Sequence, residues 1–291
     1  MKTAIVTGGS SGFGLLTTIK LAKAGFKVVS TYRTGGNEVR MKQELELQQV
    51  SDQVIIKKLD VTSQESLQHF HQVVDSLERI DVLVNNAGMA VGGFSEEVPL
   101  HAYRTQFETN VFGAIAVTQL VLPKMRQQTS GKIINMSSIS GLVGFPGLSA
   151  YSASKHALEG WSESLRLELA PFHIDVFIVE PGSYHTNIWT TGTYIPAEAD
   201  YDSSPYNDMM NQIKKVIEKS SANYGDPIEV ATLVTDIATG KKGTTFRYPV
   251  GKGIGLTLFF KKLIPWKWWE KAVKKQIKMG ETDASRYSRK D

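Results

Sequence analysis

The sequence contains no cysteine in 291 residues. That excludes disulfides, a thiolate nucleophile and any cysteine metal site, and it suits a chain that works in a reducing interior. A targeting segment is absent too: M-K-T-A-I-V-T-G-G passes directly into a strand and a glycine turn, so a cytoplasmic location is expected. Charge of one sign is scarce in the body. Residues 261–291 hold ten Lys or Arg against four Asp or Glu, which leaves 23 basic and 25 acidic residues in 1–260. Such a body has no basic patch, and no nucleic-acid partner is expected.

What is present is size and rhythm. A chain of this length with 41% hydrophobic residues can bury one large core, and a single domain is expected. Short Val- and Ile-rich runs at 3–7, 26–31, 53–59, 80–84, 132–136 and 174–179 alternate with helical spacing near 13–24, 37–48, 63–77, 101–127 and 152–170. Strands apolar on both faces, each followed by a helix, predict an α/β fold: a doubly wound parallel sheet of Rossmann type, covered by helices on both faces. Ligands of such sheets lie at the carboxyl ends of the strands. After residue 187 the rhythm gives way to an aromatic, Pro-containing insert, either a substrate lid near 187–224 or an ordinary surface excursion. A helix is expected at 205–221, and another from about 227, with Asp226 as N-cap and Pro227 at its first position. The catalytic domain is expected to span 1–255, with a separate basic tail at 256–291.

Two Tyr–Lys pairs stand four residues apart, one helical turn: Tyr151 with Lys155 in Y-S-A-S-K, and Tyr248 with Lys252 in R-Y-P-V-G-K-G. Pro249, Gly251 and Gly253 forbid a helix at the second, so only the first can bring its side chains together. Upstream, T-G-G-S-S-G-F-G at 7–14 joins the first strand to the first helix, where Gly8, Ser10, Ser11, Gly12, Phe13 and Gly14 can admit a pyrophosphate to backbone N–H groups. The spacing is G-x-x-x-G-x-G, not the dinucleotide fingerprint G-x-G-x-x-G. At the end of the second strand, S-T-Y-R-T-G offers no acid to read a ribose and instead places Arg33 to pair with a 2′-phosphate, which favours NADP(H) over NAD(H). L-D-V ends the third strand with Asp60 and Val61, where Asp60 could accept from an adenine amino group. N-N-A-G ends the fourth with Asn86, Ala87 and Gly88, and N-M-S-S-I-S-G ends the fifth with Ser138, thirteen residues before Tyr151.

Together, T-G-x-x-x-G-x-G, N-N-A-G, a Ser after the fifth strand, Y-x-x-x-K and P-G at 181–182 resemble the short-chain dehydrogenase/reductase family, over residues 3 to about 250. The resemblance implies a catalytic tetrad of Asn110, Ser138, Tyr151 and Lys155, with Asn110 supplied by E-T-N-V. It implies that Tyr151 is the general acid–base, that Ser138 stabilises the substrate oxygen, that Lys155 holds the nicotinamide ribose, and that Asn110 binds a water linking Lys155 to solvent. It also implies that Pro181, Gly182 and Thr186 close over the nicotinamide carboxamide, and that the chain forms dimers or tetramers. A lysine ammonium one turn away is expected to lower the phenol's titration from near pH 10. His185 is a lone loop histidine with no role in this scheme.

The substrate is expected among Met89, Leu142, Val143, Phe145, Tyr184 and Trp189, with Tyr184 and Trp189 on the lid. These are apolar or aromatic, which suits a hydrophobic ketone, aldehyde or secondary alcohol. The tail, L-T-L-F-F-K-K-L-I-P-W-K-W-W-E-K-A-V-K-K-Q-I-K-M at 256–279, has too short an apolar run to span a bilayer, which takes about 20 residues. A helix after Pro265 would put Trp266, Trp269, Val273 and Ile277 on one face and lysines on the other. That fits peripheral contact with a membrane surface or an acidic partner, or packing on a neighbouring subunit or on the pocket mouth. Two other functions remain compatible with the fold: a dehydratase or epimerase, and an NADP-binding sensor or scaffold without turnover.

Overall fold

The computed structural model describes residues 1–185, 193–196, 204–221 and 224–276. Among these residues nine strands run in chain order: β1 (Thr3–Val6), β2 (Lys27–Tyr32), β3 (Val54–Lys58), β4 (Val82–Asn85), β5 (Ala90–Val91), β6 (Gly131–Met136), β7 (Ile174–Pro181), β8 (Thr193–Tyr194) and β9 (Arg247–Val250). Seven of them form one parallel sheet in the order β3-β2-β1-β4-β6-β7-β9, and β5 and β8 pair separately. The order reverses between β1 and β4, which opens a crevice at their carboxyl ends. The helices are α1 (Gly12–Lys23), α2 (Gly35–Leu47), α3 (Gln64–Ser76), α4 (Leu100–Phe107), α5 (Gly113–Gln127), α6 (Ser149–Leu169), α7 (Asn207–Ser221), α8 (Pro227–Thr239), α9 (Ile254–Leu263) and α10 (Trp266–Gln276).

The inner strands bury both faces, as their continuous apolar runs require, while β3 and β9 at the sheet edges are partly exposed. In β1, Ala4 and Val6 face a core shared with Leu15, Leu21, Val230 and Val234 of α1 and α8. Ile5 points the other way, into a core with Phe70, Val117, Val121 and Leu165 of α3, α5 and α6. Each fully buried Val, Ile or Leu contributes about 1.5–3 kcal/mol, so the two layers fix strand register firmly. The start of α8 forms as expected: the Asp226 side chain accepts from the Ile228 N–H at 2.9 Å and Pro227 opens the first turn.

Three differences from the expected pattern shape the site. The stretch expected as one helix over 101–127 contains a π-helical turn at Glu108–Phe112, which bulges the helix at Asn110. R-Y-P-V forms an edge strand, β9, and extends β7 to Glu180 and Pro181 through the pairs Glu180↔Pro249 and Pro181↔Val250. Pro249 is tolerated there because no further strand needs its missing N–H. The expected separate tail also begins inside the fold: Leu258 of α9 is buried, and the Lys261 ammonium donates to the Leu142 carbonyl.

Candidate active site

The glycine loop is shaped by close approach. Gly8 and Gly12 have φ of +63° and +52°, the left-handed region that favours glycine. A side chain on Gly14 would collide with the Gly8 carbonyl and the Asn86 amide. Asn86, expected to meet the cofactor, spends its side-chain amide on the Thr7 and Gly8 carbonyls at 2.9 and 3.0 Å. Its side chain therefore clamps the loop to β4, and the flat surface beside it comes from Ala87 and Gly88.

A cavity of about 730 Å³ opens over the carboxyl ends of the strands. Its walls include Gly8, Ser10, Ser11, Gly12, Phe13, Arg33, Asp60, Val61, Asn86, Ala87, Gly88, Pro181 and Gly182. They also include Ser138, Tyr151, Lys155 and Met89. At one end the exposed Arg33 is joined by Asn37 and Arg40 of α2, a second cation that the sequence reading missed. Its signal was available: Asn37 and Arg40 stand three apart in the helix after Arg33 and share its face. Asp60 uses one carboxylate oxygen on the Thr62 N–H and hydroxyl, at 2.9 and 2.7 Å, which leaves the other for the cavity.

At the other end stand the four expected catalytic residues, all buried. The start of α6 faces the end of β6, and Tyr151 and Ser138 are hydrogen-bonded. The Ser138 hydroxyl oxygen also accepts from the Ser140 N–H at 3.1 Å. The Lys155 ammonium donates to the Met136 carbonyl at 2.8 Å and lies 5.7 Å from the centre of the Tyr151 ring. Asn110, presented by the π turn, donates to the Met89 carbonyl at 3.0 Å and to the Ser154 hydroxyl at 3.2 Å. Its carbonyl accepts from the Met89 N–H at 2.9 Å. In this arrangement Asn110 ties the segment after N-N-A-G to α6.

The electrostatics correct the expectation for Tyr151. Its phenol is pushed up to about 12, because burial penalises the phenolate more than the Ser138 hydrogen bond favours it. The Lys155 ammonium, which donates to Met136, is itself brought down by burial to about 8, against the pull of Glu159. Behind Lys155 lies an acid cluster, with Glu159 and Glu180 buried, that no sequence pattern announces. Arg247 of β9 bonds Glu159 at 3.1 Å and Glu163 at 3.0 Å, and stands 3.6 Å from Glu180. Burial first and Glu159 second push Glu180 up to about 8, against Arg247 and Lys262.

The expected substrate residues divide. Met89 lines the cavity, but Leu142, Val143 and Phe145 do not, and Val143 is fully buried. Tyr184 also lines the cavity, but from the core and not from a lid: it is 2% exposed. Its ring meets Phe13 edge to face at 5.6 Å and its hydroxyl donates to Glu229 at 2.8 Å. A side chain on Gly225 would strike that ring, so the pocket for Tyr184 is set forty residues downstream. Thr186 and Trp189 lie outside the described residues, as do Ile277 and the parts of the expected lid at 187–192, 197–203 and 222–223; Trp266, expected on the apolar face of the tail helix, is exposed. The cavity instead takes His101, Thr105 and Thr109 from the helices after β5, and Thr193 and Tyr194 from β8.

Comparison with known proteins agrees with this geometry. A model of the short chain dehydrogenase family matches residues 2–193. An uncharacterized oxidoreductase YusZ of Bacillus subtilis is 49% identical over 276 residues, covering 95% of this chain and 98% of that one. A 3-ketodihydrosphingosine reductase of Bacteroides thetaiotaomicron is 37% identical, over 85% of this chain and 87% of its own. An NADPH-dependent 3-dehydrocapnine reductase of Ornithobacterium rhinotracheale is 31% identical, over 84% of each. The crystal structure of a short-chain dehydrogenase from Streptomyces avermitilis superposes with a TM-score of 0.76 at 33% identity, over 94% of this chain and 99% of that one. The chain belongs to the short-chain dehydrogenase/reductase family of oxidoreductases, which use NAD(P)H.

Proposed function

We propose that the protein is an NADP(H)-dependent reductase of a hydrophobic ketone or aldehyde, working reversibly on the corresponding alcohol. The observation that carries this reading is the buried Ser138–Tyr151 pair on the cavity wall, with Lys155 one turn on and two arginines at the far end. The cavity suits the cofactor: the glycine loop closes too tightly for side chains, and Arg33 with Arg40 supplies paired charge for a 2′-phosphate. Bound there, the reduced nicotinamide supplies hydride to the carbonyl carbon.

The chain's own residues handle the proton. With its phenol pushed up to about 12, Tyr151 is neutral at pH 7 and carries the proton that the carbonyl oxygen gains. Ser138, whose oxygen already accepts from Ser140, turns its O–H toward the same oxygen and stabilises its developing charge. Lys155 keeps a positive charge nearby up to about pH 8. Asn110 holds Met89 against the substrate end and, through its remaining lone pair, is placed to bind the water that leads from Lys155 to solvent.

Met89 and Tyr194 give the substrate end an apolar surface, and His101, Thr105 and Thr109 give it polar contacts. That mixture fits a ketone with an alkyl chain and a polar group beside the carbonyl, the chemistry that two relatives' names carry. Within the insert, β8 is pinned to β5 at the cavity, and we assign the insert the role of substrate cover. The test is consumption of NADPH with a panel of long-chain amino ketones, simple alkyl ketones and aldehydes, with NADH as control cofactor. Turnover with NADPH and an alkyl ketone is expected. Cofactor binding without consumption in either direction would sink the reading.

A further inference from the structure

Helix α9 carries two stripes, and the apolar one faces solvent. Ile254, Thr257, Leu258 and Lys261 recur at helical spacing and turn inward: Leu258 is buried and Ile254 packs where a side chain on Gly182 would sit. Leu256, Phe259, Phe260 and Leu263 recur at the same spacing on the opposite side. Those four, together with Trp266 and Trp268 at the start of α10, are 49–69% exposed. Leu256, Phe259, Phe260 and Leu263 form an apolar stripe along α9 of a kind that soluble chains rarely leave in water, and Trp266 and Trp268 add exposed indoles on two sides of α10. Around it, residues 252–276 hold seven lysines against one glutamate, and that glutamate, Glu270, is paired with Lys274 at 2.7 Å.

We infer that this face of α9 and α10 docks on an anionic lipid surface, lying in the interface without crossing it. No helix among the described residues is long and apolar enough to cross. Tryptophan and lysine divide the work at such a boundary: the indole rings sit at headgroup depth, and lysine stems follow them with the ammonium groups among the phosphates. Charge decides against a second copy of the chain as the occupant. An isologous contact would set the patch on itself, bringing together two lysine-rich surfaces whose one acid among residues 252–276, Glu270, is already paired with Lys274. The anchoring of α9 gives the docking a consequence for the site. Ile254 rests on Gly182, and Lys261 holds the Leu142 carbonyl in the loop after Ser138, so the docked helices sit directly against the cavity's wall.

This inference is independent of the proposed reaction, because a chain without turnover would dock equally well. The experiment is flotation of the full chain with vesicles of phosphatidylcholine alone and of phosphatidylcholine mixed with phosphatidylglycerol, at low salt and at about 0.5 M salt. The parent should float with the anionic vesicles, bind phosphatidylcholine at least about tenfold more weakly, and lose most binding at high salt. Phe259→Ser combined with Phe260→Ser, and separately Trp266→Ser with Trp268→Ser, should each weaken binding at least about tenfold, with thermal stability and turnover of a soluble substrate unchanged. A parent that stays unbound on anionic vesicles overturns the inference. So does binding that the variants leave intact, or binding only to polyglutamate, which would make the partner an acidic polypeptide. Concentration-dependent self-association that the Phe variants abolish, without vesicle binding, would give the stripe to a second copy and also overturn it.

Discussion

Two tyrosines in this chain stand four residues ahead of a lysine, and the fold treats them in opposite ways. Tyr151 and Lys155 lie on one face of α6, buried, with Tyr151 bonded to Ser138 at the end of the neighbouring strand. Tyr248 lies on the edge strand β9 with its ring against Phe177, and Lys252 follows in a turn through Gly251 and Gly253, exposed to water. The spacing is identical and only the backbone differs. A Tyr-x-x-x-Lys pattern carries chemistry when a helix stacks its ends and a strand terminus brings a third group to the phenol; otherwise it is a coincidence of composition.

The comparison can be broken most sharply by removing each phenol. Tyr151→Phe should lower reductive turnover by about 10²–10⁴-fold with cofactor affinity and melting temperature nearly unchanged, whereas Tyr248→Phe should leave turnover within about twofold. Steady-state kinetics on both variants decides this. The cofactor end comes next in size. Arg33→Ala with Arg40→Ala should raise the KM for NADPH by roughly 10–100-fold and leave that for NADH nearly unchanged, since only the phosphate contact is lost. Equal losses with both cofactors would remove the 2′-phosphate assignment.

The two lysines come next. Lys155, brought down to about 8, is charged below that pH and neutral above it, so kcat/KM for reduction should fall about tenfold per pH unit above pH 8. Tyr151 should contribute no second loss until well above pH 10. Lys252→Met should leave the profile unmoved. The smallest effect belongs to Glu180. A carboxyl held up to about 8 in the folded chain binds its proton more tightly than in the unfolded one, so stability is lost as pH rises from about 4.5 to 8. Glu159 from α6, Arg247 from β9 and Lys262 from α9 all act on it. Glu180→Gln should therefore raise the melting temperature at pH 9 by about 2–4 °C relative to the parent, with little change at pH 5. A thermal shift series over pH reads it directly.

Much of this was legible in the chain itself, for a physical reason. Strands buried on both faces must be continuous apolar runs, and short polar motifs interrupting such runs can only sit at their ends, where the crevice is. The same logic placed Ser138 beside Tyr151, and Asp226 with Pro227 at the start of α8. What stayed hidden depends on partners distant in sequence. β9 hides because Pro249 reads as a breaker until its edge position is known. Tyr184 reads as a loop aromatic, because its pocket is made by Phe13, Gly225 and Glu229. The π turn at Asn110 adds a residue to a turn with no compositional mark. Spacing likewise says nothing of burial, and burial is what raises the Tyr151 phenol where the neighbouring lysine alone would have lowered it.

The most direct test of the central claim is the absorbance of NADPH during incubation with an alkyl ketone, followed for the parent, Tyr151→Phe and Tyr248→Phe under one set of conditions. The account predicts consumption by the parent and Tyr248→Phe at similar rates, and by Tyr151→Phe at no more than about a hundredth of them. Consumption by Tyr151→Phe at the parental rate would contradict it, because the proton would then come from elsewhere.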